Sequence, residues 1–143
     1  MLQNIDHIGI VVTDLIGARD FFLALGFTVI RGGSLQGQWI DDALQLPDVN
    51  AEYLALHLPN TQTNIELLKF VTPEGQKDPL LGKPNQIGIR HIAFAVHDIE
   101  AFVHHLKQKG IKTFSGIQIY DGQKKFCYFS GVEGIICEVA EYL

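Results

Sequence analysis

The chain has 143 residues, 47% of them apolar and 19% charged, which gives ample material for a buried core and too little length for two large domains. Eleven Lys and Arg against 16 Asp and Glu leave a net charge of −5, so there is no positive field to gather phosphates and no nucleic-acid partner is expected. No apolar run approaches the roughly 20 residues that span a bilayer, and the N-terminus lacks the basic-then-apolar pattern of a secretory signal, so a cytoplasmic protein without a membrane partner is expected.

Residues 5–12 form a short run rich in Ile and Val, a strand closed by Asp14, whose carboxylate can accept the free N–H groups of a first helical turn. Phe21, Phe22 and Leu25 then fall at helical spacing, and Gly26 suits the left-handed residue that ends a helix. Strands are expected at 27–32, 51–58 and 63–71. Between the first two, Gly32, Gly33, Gly37 and the run to Pro47 make an excursion with a short helix at 39–44, the kind of insertion that walls a pocket. Residues 72–87 hold Pro73, Gly75, Pro79, Gly82 and Pro84, a composition that breaks regular structure and reads as a linker. A strand follows at 89–96, then Asp98 as a second cap and a helix over 99–109 with Ile99, Phe102, Val103 and Leu106 on one face and Gly110 at its end. Three more strands are expected at 111–119, 125–130 and 135–142. Cys127 and Cys137 fall in the last two and read as reduced core residues.

The order of elements repeats, and so do the residues. Segment 6–15 matches segment 90–99, with His7 opposite His91, Asp14 opposite Asp98 and the apolar positions in step. The match continues with Phe22 opposite Leu106, Gly26 opposite Gly110 and Phe27 opposite Ile111. Ile65-Glu66-Leu67 matches Cys137-Glu138-Val139 in the same way. The reading is therefore α+β, with two tandem βαβββ modules, 1–71 and 88–143, and the linker 72–87 between them in one domain. The helices cover one face of the sheet.

Two histidines thus stand on equivalent first strands and two glutamates on equivalent last strands. If the two copies pack about a pseudo-twofold axis with their sheets curved toward each other, His7, Glu66, His91 and Glu138 can converge on one point. Two imidazoles and two carboxylates suit a divalent ion such as Zn, Ni, Co, Mn or Fe. Around an octahedral ion they leave two positions for water or substrate. Glu66 and Glu138 sit among apolar neighbours, where an idle charge is costly. His97, His104 and His105 read as structural or surface residues. So does His57, which pairs with Phe129 by sequence offset. Arg31, Lys69, Arg90, Lys124 and Lys125 read as solvated surface and receive no role.

A His-bearing strand, an Asp-capped helix and a Glu-bearing strand, twice over in a chain of this size, resemble the vicinal oxygen chelate superfamily. That family includes glyoxalase I, methylmalonyl-CoA epimerase, extradiol dioxygenases and fosfomycin or bleomycin resistance proteins. The resemblance covers essentially the whole chain, and residues 129–138 are similar to the family's closing hairpin. It implies a curved, cup-shaped mixed sheet with helices on the outside, built around a divalent metal held by His7, Glu66, His91 and Glu138. It also implies a homodimer, whose cup closes within one chain or across two.

Four ligands with two open sites favour an isomerase, epimerase or lyase that removes a proton next to a carbonyl and stabilises a metal-bound enediolate. The expected substrate is a small carbonyl compound or thioester. Val11 stands where glyoxalase I proteins carry an arginine, so their glutathione-binding pattern is not matched. Gly88-Ile89-Arg90-His91-Ile92-Ala93-Phe94 is similar to the second-His segment of the epimerases, whose base is a glutamate early in the third strand of module one, the place of Glu52. Glu66 or Glu138 is the alternative base, as the resemblance to glyoxalase I implies. Two other readings stand beside this one: a non-haem Fe(II) extradiol-type dioxygenase, and a small-molecule-binding or resistance protein without catalysis.

Overall fold

A computed structural model describes residues 1–143. The elements in chain order are β1 (His7–Val11), α1 (Leu15–Ala24), β2 (Thr28–Gln36), α2 (Gln38–Leu44), β3 (Asn50–His57), β4 (Asn64–Thr72), β5 (His91–Ala95), α3 (Ile99–Gln108), β6 (Gln118–Tyr120), β7 (Lys124–Ser130) and β8 (Ile136–Tyr142). They divide into two compact units, Met1–Lys77 and Asp78–Leu143, parted inside the Pro- and Gly-rich stretch. The strands make two open four-stranded sheets, ordered β1-β4-β3-β2 and β5-β8-β7-β6. In each, the first strand runs parallel to the last, and the remaining pairs are antiparallel. Each unit is one βαβββ module. No helix is long and apolar enough to cross a membrane.

In the first unit the Asp14 carboxylate accepts the Gly17 N–H at 3.0 Å and starts α1. Leu15, Ala18 and Phe22 are its buried residues, spaced to lie on one face over β3 and β4. Gly26, at φ +101°, turns the chain out of the helix where a side chain would be strained. The ring of Phe27 then meets that of Phe22 edge-on at 5.3 Å. Ile10, Leu56, Ile65 and Leu67 supply the buried face of the sheet. In the second unit Asp98 accepts from Ala101 N–H at 2.9 Å, and Glu141 Oε2 takes the Ile99 N–H at 2.9 Å. Ile99, Val103 and Leu106 face Phe129, Cys137 and Val139, all buried. Cys127 and Cys137 are both buried and unpaired. Burial alone pushes the Cys137 thiol up to about 12.

Two expected elements differ. The strand placed at 27–32 continues through Gly32 and Gly33 to Gln36, because that pair lies against β3. A side chain at position 32 would come within 2.8 Å of Leu54, and one at 33 within 3.2 Å of the Tyr53 ring. The glycines permit close approach here and do not break the strand. The strand placed at 111–119 survives only as 118–120, with a single bridge between Thr113 and Phe129 upstream. Thr113 pairs with Phe129 but Gln118 with Phe126, so the register slips by two residues across Ser115-Gly116 and the ladder is interrupted. The excursion in module one does carry a short helix. Ile40 of α2 packs with Val49 and Ala51 against Leu35 and Phe70.

Candidate metal-binding pairs

Strand register decides what each sheet presents on the face turned away from its long helix, since opposed residues point the same way and neighbours along a strand alternate. In the first unit Gly9 pairs with Glu66, Glu66 with Ala55, and Ala55 with Arg31. These four form a row on the open face. The adjacent row runs through His7, Asn64, His57 and Thr28, with His57 Nδ1 donating to Asn64 Oδ1 at 2.9 Å. His7 and Glu66 are therefore diagonal neighbours on one face. His7 Nδ1 donates to Asp6 Oδ2 at 2.7 Å, which fixes the ring and leaves Nε2 as its lone-pair nitrogen. Glu66 is half-buried and forms no ion pair. Its lateral neighbours, Gly9 and Ala55, are small.

The second unit repeats the arrangement with different neighbours. Ala93 pairs with Glu138 and Glu138 with Tyr128, while His91 pairs with Ile136 and Ile136 with Ser130. His91 Nε2 and Glu138 Oε2 are 3.3 Å apart. The other carboxylate oxygen, Oε1, accepts a hydrogen bond from Lys124 Nζ at 2.5 Å, and Glu138 is only 4% exposed. The bond to Glu138 raises the Lys124 ammonium above its usual range, against the opposing effect of burial. Burial first, and then the charge of Glu138, raises the Tyr128 phenol. The Tyr128 ring also stands edge-on to His91 at 5.4 Å.

The open faces thus carry four of the five residues expected from the sequence. Glu52 lies elsewhere. It pairs with Lys69, on the face of Ile65 and Leu67, so the sheet separates it from Glu66. Alternation would have revealed this, but the base position came from a family pattern and not from the pleat. Lys124, read from sequence as solvated surface, is the partner of Glu138, and Lys125 pairs with Glu100 at 2.8 Å. No local pattern marks Lys124, which meets Glu138 across the β7–β8 ladder. His57 corresponds by register to Ser130 and not to Phe129, because the β7–β8 connection is one residue shorter than that between β3 and β4.

In neither unit do three His, Cys, Asp or Glu side chains gather into a group able to hold an ion; each offers one imidazole and one carboxylate. The second pair has the spacing of two ligands on one ion. Two adjacent ligands at usual bond lengths of ~2.1 Å around an octahedral ion are about 3 Å apart, close to the 3.3 Å between His91 Nε2 and Glu138 Oε2.

The family model described as Glyoxalase/Bleomycin resistance protein/Dioxygenase superfamily matches residues 6–128. The chain belongs to this superfamily. As a glyoxalase-superfamily member it is 33% identical over 142 residues to the protein YaeR of Escherichia coli (strain K12), covering 98% of this chain and 97% of that one. It is 30% identical over 117 residues to the mitochondrial methylmalonyl-CoA epimerase of Homo sapiens, covering 80% of this chain and 58% of the epimerase. The crystal structure of a glyoxalase family protein from Bacillus cereus superposes with a TM-score of 0.91 at 29% identity, covering 100% of this chain and 96% of that one. The glyoxalase superfamily holds both enzymes and resistance proteins, so the reaction must be argued from the residues.

Proposed function

We propose that this superfamily member is a divalent-metal-dependent isomerase, epimerase or lyase that removes a proton next to a carbonyl, with His7, Glu66, His91 and Glu138 as ligands of one ion. The observation that carries the reading is the duplicated His–Glu pair, each on the open face of its own sheet, with His91 and Glu138 at ligand spacing. The ion, when bound, would supply a Lewis acid that stabilises the anion left by proton loss.

The chain's residues divide the remaining work. Glu138 is buried and held by Lys124, so it suits a fixed ligand. Glu66 has no charged partner and lies between Gly9 and Ala55, which leaves its carboxylate room to swing and accept a proton. We assign Glu66 the role of base, in preference to Glu138 and to Glu52 on the far face. Around an ion that takes six donors, these four ligands would leave two positions, enough for two vicinal oxygens of a small carbonyl compound or thioester. An extradiol-type dioxygenase must bind both catechol and dioxygen and would need three. A homodimer belongs to the same reading.

The test begins with metal content of untagged protein purified without chelator, beside a His7→Ala, Glu138→Ala double variant. About one ion per chain, lost in the double variant, is expected. The loaded protein is then given methylmalonyl-CoA and the glutathione hemithioacetal of methylglyoxal in D2O, and deuterium at the carbon next to the carbonyl is read by NMR. Exchange that Glu66→Gln abolishes supports the proposal. Absence of any ion after incubation with Ni, Co, Mn, Zn and Fe(II) would overturn it in favour of a binding protein. Oxygen uptake with a catechol by the Fe(II) form would overturn it in favour of the dioxygenase.

A further inference from the structure

The two oxygens of Glu138 have different partners. Oε1 accepts from Lys124 Nζ at 2.5 Å, and Oε2 faces His91 Nε2 at 3.3 Å. Register puts Lys124 on the same face, opposite Tyr142, with Phe126 between it and Tyr128 along β7. Its ammonium lies 5.3 Å from the centre of the Phe126 ring and 5.9 Å from that of Tyr142. Those rings attract the cation and hold it at Oε1. The corresponding position in the first unit, opposite Phe70 by the same register, is Ala51, so nothing restrains Glu66 in this way.

We infer that Lys124 is a positioning residue that makes Glu138 a one-oxygen ligand and so keeps two adjacent positions open on the ion. The inference rests on the metal reading above. A buried carboxylate with one oxygen committed to an ammonium offers only the other to a metal. Without that ammonium, both oxygens are free, and a cation in a poorly solvated site draws them both in. The second oxygen would then take one of the two positions that a substrate with vicinal oxygens needs. Lys124 therefore confines the site to chelating substrates without touching them.

The experiment uses Mn(II) alone as the probe, with the full chain. Water-proton relaxation counts exchangeable waters on bound Mn(II), and the resonance of free Mn(II) gives its affinity. Two waters are expected in the wild type and in K124R. One water is expected in K124M, with Mn(II) bound at least as tightly, a combination that mere structural damage would not give. K124L serves as a second variant without a donor in case K124M does not fold. Two waters in the loaded K124M or K124L protein would overturn the inference and leave the metal reading intact. A wild type that binds no Mn(II) or other divalent ion would overturn the metal reading itself.

Discussion

The two His–Glu pairs occupy equivalent strand positions and live in different surroundings. His7 and Glu66 stand beside Gly9 and Ala55, whereas His91 and Glu138 stand beside Ala93 and Tyr128 with Lys124 across the ladder. Even the residue before each histidine differs. Asp6 orients His7 by a hydrogen bond, while Arg90 turns away to the Leu80 carbonyl at 3.4 Å. Duplication fixed where the donor atoms go, and divergence of their neighbours set how firmly each is held. A carboxylate with small neighbours keeps its freedom, and one packed under an ammonium and an aromatic ring loses it.

At neutral pH the largest expected difference is between the two glutamates. Glu138→Ala removes a buried carboxylate and leaves the half-buried Lys124 ammonium without its partner, which should destabilise the protein by about 2 kcal/mol. Glu66→Ala, which breaks no ion pair, should stay within about 0.5 kcal/mol. Urea denaturation of both metal-free variants measures this, and equal losses would break the comparison.

Next comes an alkaline response confined to the second unit. The folded-state pKa of Cys137 is raised from 9.0 to about 12, so its contribution is fully present below pH 9 and is lost as pH rises toward 12. The loss approaches about 4 kcal/mol at the top of that window. Lys124 and Tyr128, both raised, act in the same direction above about pH 10. Cys137→Ala should therefore flatten the fall in denaturation midpoint between pH 9 and 12, and an unchanged slope would contradict the assignment.

A smaller contrast concerns the helix starts. The Gly17 N–H depends on Asp14, whereas α3 has both Asp98 and Glu141 at its first turn. Asp14→Ala should cost about 1 kcal/mol and Asp98→Ala about half as much, read from the same denaturation curves. The smallest effect is expected from Glu52→Gln. From the far face of the sheet it should leave Mn(II) affinity within about twofold, as measured by titration.

Much of this is legible in the sequence because the repeat lets each half check the other. The caps at Asp14 and Asp98, the strands bearing Glu66 and Glu138 and the helix of the excursion all follow from local spacing, turn chemistry and internal likeness. What escaped was lateral. The partnership of Lys124 with Glu138, the counterpart of His57 and the face of Glu52 depend on ladder register. Register is set by loop length and pleat, and residue types within one strand do not reveal it. Gly32-Gly33 misled for a related reason, since glycine admits a neighbouring side chain as readily as it breaks a strand.

The register slip at Ser115-Gly116 has a consequence for solubility. It cuts the outer edge of the second sheet to the three residues of β6, a template too short to recruit a foreign strand, whereas the outer edge of the first sheet is the nine-residue β2. That longer edge is kinked by a bulge between Val29 and Arg31, which twists its free backbone groups out of line for an incoming chain. Straightening the bulge by deleting Ile30 would lay that edge flat, and amyloid-like stacking would begin there before anywhere on β6.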